Sequence, residues 1–174
     1  MPITRLNHAV LYVSDVERSV AFYRDVLDFR VLDGLPEGFR GAAFLQAPGS
    51  TNDHDLGLFE IGSSAAPAPV SGLPGRSIGL YHLAWEVDTL AELERLAHRL
   101  EQAGALGGAS DHGTTKSLYG HDPDGIEFEI AWIVPAELID GAALEGRTRI
   151  GRLDLTAESA RYGAETRGGV GISH

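Results

Sequence analysis

Short stretches of alternating apolar and polar residues, each closed by turn-forming residues, recur along the chain and predict β-strands. One of them is His54–Gly62, with the sequence HDLGLFEIG. Alternate side chains of a strand lie on one face, so this stretch predicts a shared face for four residues: His54, Leu56, Leu58 and Glu60. An apolar face would then carry an ionisable group at each end.

Two other segments repeat apolar residues at helical spacing. The clearer one places five residues on a single stripe and ends near Gly104: Leu90, Leu93, Leu96, Ala97 and Leu100. A capping-box pattern precedes each segment, Ser14-x-x-Glu17 in one and Thr89-x-x-Glu92 in the other. These patterns predict where two helices begin.

The chain contains an internal repeat. The segment Leu6–Tyr23 (LNHAVLYVSDVERSVAFY) aligns with Leu80–Ala97 (LYHLAWEVDTLAELERLA). Each copy is a histidine-containing strand followed by a helix, and each is followed by three further strand candidates. In the first half these are Phe29–Asp33, Gly41–Ala47 and Asp55–Ile61; in the second, a weak one near Ala105, then Lys116–Gly120 and Ile126–Trp132.

The repeat predicts four regions. A first βαβββ module spans residues 1–61 and a second spans residues 79–134, with a linker rich in Pro, Gly and Ser at residues 62–78. Residues 135–174 form a C-terminal extension, whose residues 140–174 carry five acidic residues and five arginines. We expect this tail to pack across a partner subunit or to be disordered, with Glu165–His174 mobile.

Composition narrows the possible functions. The net charge of −11 argues against nucleic acid as a partner. No apolar run approaches the roughly 20 residues that span a membrane, and no signal peptide is evident, so we expect a cytoplasmic protein. The chain has no cysteine, so any metal site must use histidine and carboxylate ligands.

Each half places a histidine in its first strand and a glutamate in its last. The pairs are His8 with Glu60 and His82 with Glu129. If the two halves are related by a pseudo-twofold axis, these four side chains can converge. Imidazole and carboxylate ligands suit Fe(II), Mn, Zn or Ni.

Three stretches resemble the vicinal oxygen chelate superfamily: LNHAVLYVSDVERSVAFYRDVLDF, YHLAWEV and DPDGIEFEI. This superfamily includes glyoxalase I, extradiol dioxygenases and bleomycin-resistance proteins. The resemblance covers residues 4–133. It implies an α+β fold, in which two βαβββ modules form one open barrel around a metal site.

The resemblance is strongest to catechol 2,3-dioxygenase-like extradiol enzymes. It implies that His8, His82 and Glu129 bind Fe(II), with Mn(II) possible, and leave positions open for a small aromatic substrate and O2. It also implies that His54 is the acid/base residue and that Tyr119 orients the substrate. The offset of His112 from the loop histidine of those enzymes does not fit, so its role stays open.

The resemblance leaves two alternatives. In a glyoxalase I-type lyase or isomerase, Glu60 would be a fourth ligand, and the metal would be Ni or Zn. In a metal-free binding protein of the bleomycin-resistance type, the ligand positions would be lost. We favour the dioxygenase because His54 and Tyr119 both match it, and we expect a homodimer or higher homo-oligomer. We expect Glu127 to be at the rim and His121 to be solvated.

Overall fold

The computed structural model describes residues 2–3, 5–34, 40–64 and 79–169. Contacts along the chain divide it into two compact units. Unit 1 comprises residues 1–69 together with 122–125, and unit 2 comprises residues 70–121 and 126–174. Most of the predicted linker, residues 65–78, lies outside the described residues.

Unit 1 combines a four-stranded sheet with one helix. Its elements are β1 (Ala9–Val13), α1 (Val16–Leu27), β2 (Arg30–Val31), β3 (Ala42–Gln46) and β4 (Leu56–Glu60). The strand order is β1-β4-β3-β2. The first strand pairs in parallel with the last, and the other pairings are antiparallel.

The two faces of the unit 1 sheet differ in burial. One face buries apolar side chains of β1, β3 and β4 together with residues of α1: Leu11, Val13, Leu45, Leu56, Leu58, Tyr23 and Leu27. The other face leaves Val10 and Tyr12 exposed. This alternation within β1 is what a half-buried strand requires.

Helix α1 begins one residue later than the capping-box pattern predicts. Asp15 is the N-cap, and its side chain accepts a hydrogen bond from the backbone N–H of Arg18. The prediction that Ser14 caps the helix is therefore wrong. The hydroxyl of Ser14 instead donates to the carboxylate of Asp124, at 2.6 Å.

The turn Asp122–Gly125 makes its contacts within unit 1. The Asp124 carboxylate accepts hydrogen bonds from the backbone N–H of Ser14 at 2.8 Å and from the Arg18 guanidinium at 2.6 Å. The Tyr23 hydroxyl donates to Asp122 at 3.3 Å. Burial, and then the charge of Asp122, raise the pKa of Tyr23, so this phenol stays protonated and donates. The two carboxylates thus tie the turn to the start and middle of α1.

Unit 2 repeats the same order of elements and adds to it. Its core elements are β5 (Leu83–Glu86), α2 (Leu90–Gln102), β6 (Leu106–Asp111), β7 (Thr115–His121) and β8 (Glu127–Ile133). The sheet order is β5-β8-β7-β6-β9, where β9 is Gly151–Arg152. The first strand, β5, again pairs in parallel with β8. Two mixed sheets with helices confirm the α+β class.

Helix α2 agrees with its sequence pattern. Thr89 is the N-cap, and its hydroxyl oxygen accepts a hydrogen bond from the backbone N–H of Glu92 at 3.1 Å. The predicted stripe is buried at all five positions, and the helix ends at Gln102, two residues before Gly104. Three residues of β8, Phe128, Ile130 and Trp132, are also fully buried. These side chains form the apolar core of unit 2.

The C-terminal extension is folded in its described part. After a 3-10 turn at Ala136–Leu138 come α3 (Gly141–Gly146), β9 and α4 (Leu155–Tyr162). Helix α4 contacts α2, and the Trp132 indole donates to the backbone oxygen of Thr166 at 3.2 Å. The expectation of a disordered tail is therefore wrong for residues 140–169, which pack on their own unit, whereas packing across a partner subunit stays a prediction; residues 170–174 lie outside the described part.

None of the helices within the described ranges is long and apolar enough to cross a membrane.

We expect Asp124→Ala to lower the free energy of unfolding by about 2 kcal/mol, because it leaves the part-buried Ser14 N–H without its charged acceptor. Urea denaturation measures this change. Asp25→Ala is the matched control: it removes an exposed ion pair with Arg24 and should leave the free energy of unfolding nearly unchanged, because a solvated pair stabilises little. Equal effects of the two substitutions would contradict a special role for the turn.

Candidate active site

The sheet of unit 2 carries a polar face opposite its apolar core. In the β7–β8 hairpin Tyr119 pairs with Glu129, and His121 pairs with Glu127. Directly paired residues share a face of a sheet. On the other side of β8, Ala84 of β5 pairs with Glu129. His82 precedes Ala84 by two residues, so its side chain is directed toward the same face. We call this set the polar face: His82, Tyr119, His121, Glu127 and Glu129.

Two of the three predicted metal ligands meet on the polar face. His82 Nε2 lies 3.1 Å from Glu129 Oε2. The two side chains are 22% and 14% exposed, so both are partly withdrawn from water while still accessible. An imidazole and a carboxylate held this close can accept one metal ion between them.

Glu127 lies between two histidines of the polar face. Its Oε1 is 3.6 Å from His82 Nδ1, and its Oε2 is 3.5 Å from His121 Nε2. The His82 Nδ1 atom is buried and has no hydrogen-bond partner within the described residues. A carboxylate facing the distal nitrogen of a metal-binding histidine fixes its tautomer and orientation. The expectation that Glu127 is a rim residue is wrong, because its side chain is only 11% exposed.

Tyr119 is joined to a histidine that the sequence left unassigned. His112 Nε2 lies 2.9 Å from the Tyr119 hydroxyl, and the Tyr119 ring centroid is 5.9 Å from that of His82. Burial, and then the negative charge of Glu129, raise the pKa of Tyr119. The phenol is therefore protonated at neutral pH and can donate a hydrogen bond. His112 thus contacts the polar face through Tyr119, although its offset along the chain did not suggest it.

A pattern around the DPDG turn could have revealed the missed residues. Tyr119 and His121 precede the turn at a spacing of two, and Glu127 and Glu129 follow it at the same spacing. In a hairpin, this arrangement places all four side chains on one face. The sequence prediction placed Glu127 on the same face as Glu129 but did not connect that pair with Tyr119 and His121, and so it set His121 and Glu127 aside.

In unit 1, His54 packs against the predicted ligand His8. The two ring centroids are 4.5 Å apart, and the Phe44 ring lies 4.8 Å from His54. His8 Nδ1 lies 2.8 Å from the Asn7 side-chain oxygen, an acceptor, so the ring donates from Nδ1 and carries its lone pair on Nε2. A metal would bind that atom. His54 Nδ1 is 3.0 Å from the carboxylate of the exposed Asp53.

The predicted shared face of His54 and Glu60 is wrong. Strand β4 begins only at Leu56, so His54 lies outside the regular alternation. His54 contacts the ring of Phe44, and this ring extends over Gly57. Gly57 pairs with Val10 of the exposed face, so His54 lies on that face. Leu56 and Leu58 are instead fully buried on the opposite face.

Glu60 lies far from His8. It pairs with Val13, five residues beyond His8, which is about 16 Å along the strands at about 3.3 Å per residue. Its carboxylate accepts a hydrogen bond at 3.1 Å from the backbone N–H of Val16, the first residue of α1. The negative charge there also suits the positive end of the helix dipole. Glu60 is thus a helix-capping residue and does not share a metal with His8.

The predicted equivalence of Glu60 and Glu129 in the repeat is therefore also wrong. Glu129 pairs with Ala84, two residues beyond His82. The corresponding position in unit 1 pairs with Val10, two residues beyond His8, and is Gly57. A Cβ there would meet Phe44 at 3.2 Å and Val10 at 3.4 Å. Unit 1 has no carboxylate at the position that Glu129 occupies in unit 2.

The imidazole of His82 and the carboxylate of Glu129 suit a metal such as Fe(II), Mn(II), Ni or Zn, but two side chains do not make a complete metal site. Across residues 2–3, 5–34, 40–64 and 79–169, no three His, Asp or Glu side chains already form a metal-binding cluster. A full site therefore needs a donor beyond His82 and Glu129. For both His8 and His82, an acceptor near Nδ1 leaves Nε2 as the ligand atom.

Comparison with known proteins agrees with this geometry. Residues 5–130 match the Glyoxalase/Bleomycin resistance protein/Dioxygenase superfamily. A crystal structure of a glyoxalase/dioxygenase from Nostoc punctiforme superposes with a TM-score of 0.61 at 23% identity, covering 75% of this chain and 92% of that one. This likeness supports the fold.

Two curated relatives carry different activities in their names. A catechol-2,3-dioxygenase of Bacillus subtilis (strain 168) is 34% identical over 128 residues, which are 73% of this chain and 41% of that protein. A lactoylglutathione lyase of Neisseria meningitidis serogroup A is 31% identical over 128 residues, which are 72% of this chain and 88% of that protein. The match thus spans less than half of the dioxygenase. The chain belongs to the glyoxalase, bleomycin resistance protein and dioxygenase superfamily, which has the vicinal oxygen chelate fold.

Proposed function

We propose that the protein is an extradiol dioxygenase that cleaves a catechol-type aromatic ring with O2, using Fe(II) or Mn(II) held by His8, His82 and Glu129. The observation that carries the proposal is the position of Glu60. With Glu60 at the start of α1 and Gly57 at the position corresponding to Glu129, three protein ligands remain. Three ligands leave open positions for a chelating substrate and oxygen.

The bound metal would supply Lewis-acid and redox chemistry at its open positions. The protein orients the ligands. The Glu127 carboxylate faces His82 Nδ1 at 3.6 Å and would accept its proton in the metal-bound protein, which directs Nε2 toward the metal. His121 on the other side of Glu127, at 3.5 Å, restrains that carboxylate.

Tyr119 and His112 position the substrate. The raised pKa of Tyr119 keeps its proton on the phenol oxygen, from which it donates to an oxygen of the bound substrate. His112 Nε2, 2.9 Å from that oxygen, restricts the rotation of the O–H group. A donor fixed before substrate binds loses less entropy during the reaction than a mobile one.

His54 transfers protons. Its ring lies between His8 and Phe44, so it is near a proposed ligand and is partly shielded by an aromatic side chain. The Asp53 carboxylate lies 3.0 Å from Nδ1 and orients the ring so that Nε2 can take a proton from a substrate hydroxyl and return it later.

Lyase or isomerase chemistry is the second candidate. It is favoured by the lactoylglutathione lyase relative, because the match covers 88% of that protein. The glyoxalase-type alternative that used Glu60 loses its fourth ligand, because that carboxylate lies at the start of α1. If the protein is a lyase, three protein ligands hold its metal.

Oxygen uptake tests the proposal. The protein is loaded with Fe(II) or Mn(II) without oxygen, then mixed in air with a panel of catechols while dissolved O2 and the yellow ring-opened product are followed. We expect uptake of one O2 per catechol cleaved. A protein that binds one metal per chain but consumes no oxygen with any catechol would favour the lyase candidate. Light scattering on the same sample checks the expected homodimer.

Three single substitutions test the ligand set. We expect His82→Ala and Glu129→Ala to lose stoichiometric metal, because each removes a direct donor. Glu60→Ala should retain one metal per chain, since that carboxylate caps α1. Metal content after dialysis, measured by plasma mass spectrometry, distinguishes them. Loss of metal from Glu60→Ala, or retention by either of the other two, would overturn the assignment.

Removing Glu127 should weaken metal binding without abolishing it. Glu127→Ala takes away the carboxylate that faces His82 Nδ1, and losses of this kind raise the metal dissociation constant about 10- to 100-fold. Titration calorimetry with Mn(II) measures this constant. Glu101→Ala, which removes an exposed carboxylate near the end of α2, is the control and should bind as the wild type does. An unchanged constant in Glu127→Ala would remove this residue from the site.

Replacing His54 should slow turnover while leaving the metal bound. Loss of a positioned proton carrier lowers kcat by about 10²- to 10⁴-fold. Steady-state oxygen uptake by His54→Ala measures this, alongside its metal content. His98→Ala, which changes an exposed histidine of α2, should turn over normally. Wild-type kinetics in His54→Ala would exclude His54 as the acid/base residue.

A further inference from the structure

The C-terminal extension contacts the turn that carries His112. This turn, residues 112–114, joins β6 to β7. The extension from residue 135 onward lies beyond the segment 5–130 that matches the superfamily. Three separate sets of contacts connect the two, and all of them lie within unit 2.

The first contact is between two glycines. Gly113 has a positive φ of 77°, and a Cβ on it would lie 2.2 Å from the backbone oxygen of Ala143 in α3. A Cβ on Gly146, at the end of α3, would lie 2.6 Å from the Cα of Gly113. The backbones of turn and helix therefore touch with no room for a methyl group between them.

The second contact is a buried ion cluster. Lys116, at the start of β7, has a side chain only 1% exposed. Its ammonium lies 2.5 Å from Asp111 Oδ1 and 2.9 Å from Glu158 Oε2 of helix α4. Asp111 Oδ1 also accepts from the backbone N–H of Gly113, at 2.8 Å. The Glu158 carboxylate of α4 is thereby linked to the turn: it pairs with the Lys116 ammonium, which donates to Asp111, and Asp111 accepts from the Gly113 N–H.

The third contact is backbone pairing. Strand β9 extends the sheet beside β6, where Gly151 pairs with Asp111 and Arg152 with Ser110. The fully buried Val134, which leads into the extension, donates its N–H to the backbone oxygen of Thr114 at 3.0 Å. The turn is thus held at both of its ends.

We propose that the C-terminal extension, residues 135–169, is a positioning element of the site: it fixes the turn at Gly113 and so holds His112 against the Tyr119 hydroxyl. A hydrogen bond of 2.9 Å weakens steeply when its partners separate or tilt. A shift of the turn by about 1 Å would therefore disengage the pair. The consequence for turnover rests on the proposed function, whereas the hydrogen bond itself does not.

Helix α3 offers a matched pair of substitutions. Gly146→Ala adds a methyl group where the turn is in contact, and Gly141→Ala adds one at the other end of the same helix, where no atom lies within 4 Å. Neither glycine has a positive φ, and alanine is favoured over glycine in helices. Any difference between the variants therefore reports the contact with Gly113.

The readout is the imidazole ¹⁵N chemical shifts of His112, recorded on the full chain both metal-free and loaded with diamagnetic Zn(II). Tyr119→Phe supplies the spectrum of His112 without its partner. We expect Gly146→Ala to shift His112 toward that spectrum and Gly141→Ala to match the wild type. With catechol, kcat of Gly146→Ala should fall by about 10- to 100-fold.

Wild-type His112 shifts in Gly146→Ala, even with a lowered melting temperature, would show a merely structural role and overturn the proposal. If Gly146→Ala does not fold, Glu158→Gln weakens the second contact without added bulk and is judged by the same shifts. Absence of oxygen uptake in the wild type, with shifts that change as expected, would refute the dioxygenase proposal and leave the positioning role intact.

Discussion

The parallel pairing of β1 with β4 in unit 1 and of β5 with β8 in unit 2 determines which distant side chains share a face. In unit 2 it sets Glu129 beside Ala84 and brings its carboxylate to His82. In unit 1 the same pairing sets Gly57 at the corresponding position and moves Glu60 to the start of α1. The proposed three-ligand chemistry depends on this difference in register.

Much of the fold could be predicted because local patterns determine it. The stripe of α2 and its Thr89 cap are properties of a few neighbouring residues, and both are confirmed. The site was harder to predict, because it depends on where each strand begins. Since β4 starts at Leu56, His54 turns toward Phe44 and does not follow the alternation. A glutamate in the last predicted strand of each half suggested an equivalence of Glu60 and Glu129 that the pairing of β4 with β1 does not support.

Contacts between distant segments account for the remaining differences. The spacing of His112 gave no indication that its ring meets Tyr119, because the two residues lie at opposite ends of the regular β6–β7 pairing and only their side chains, reaching along the sheet, come within 2.9 Å. The sequence left open whether the extension packs across a partner subunit or is disordered. Its order comes from partners far away in the sequence: buried Lys116, the glycine contact at Gly113 and the edge of β6. The polar face thus lies on strands of the segment that matches the superfamily, and the turn next to it contacts an extension that lies beyond that segment.

A crystal structure of the protein loaded with Mn(II) tests the central claim most directly, because it counts the protein ligands. The account predicts three, His8, His82 and Glu129, with the Glu60 carboxylate still accepting the Val16 N–H. A metal bound by Glu60, or one bound without His82 and Glu129, would contradict it.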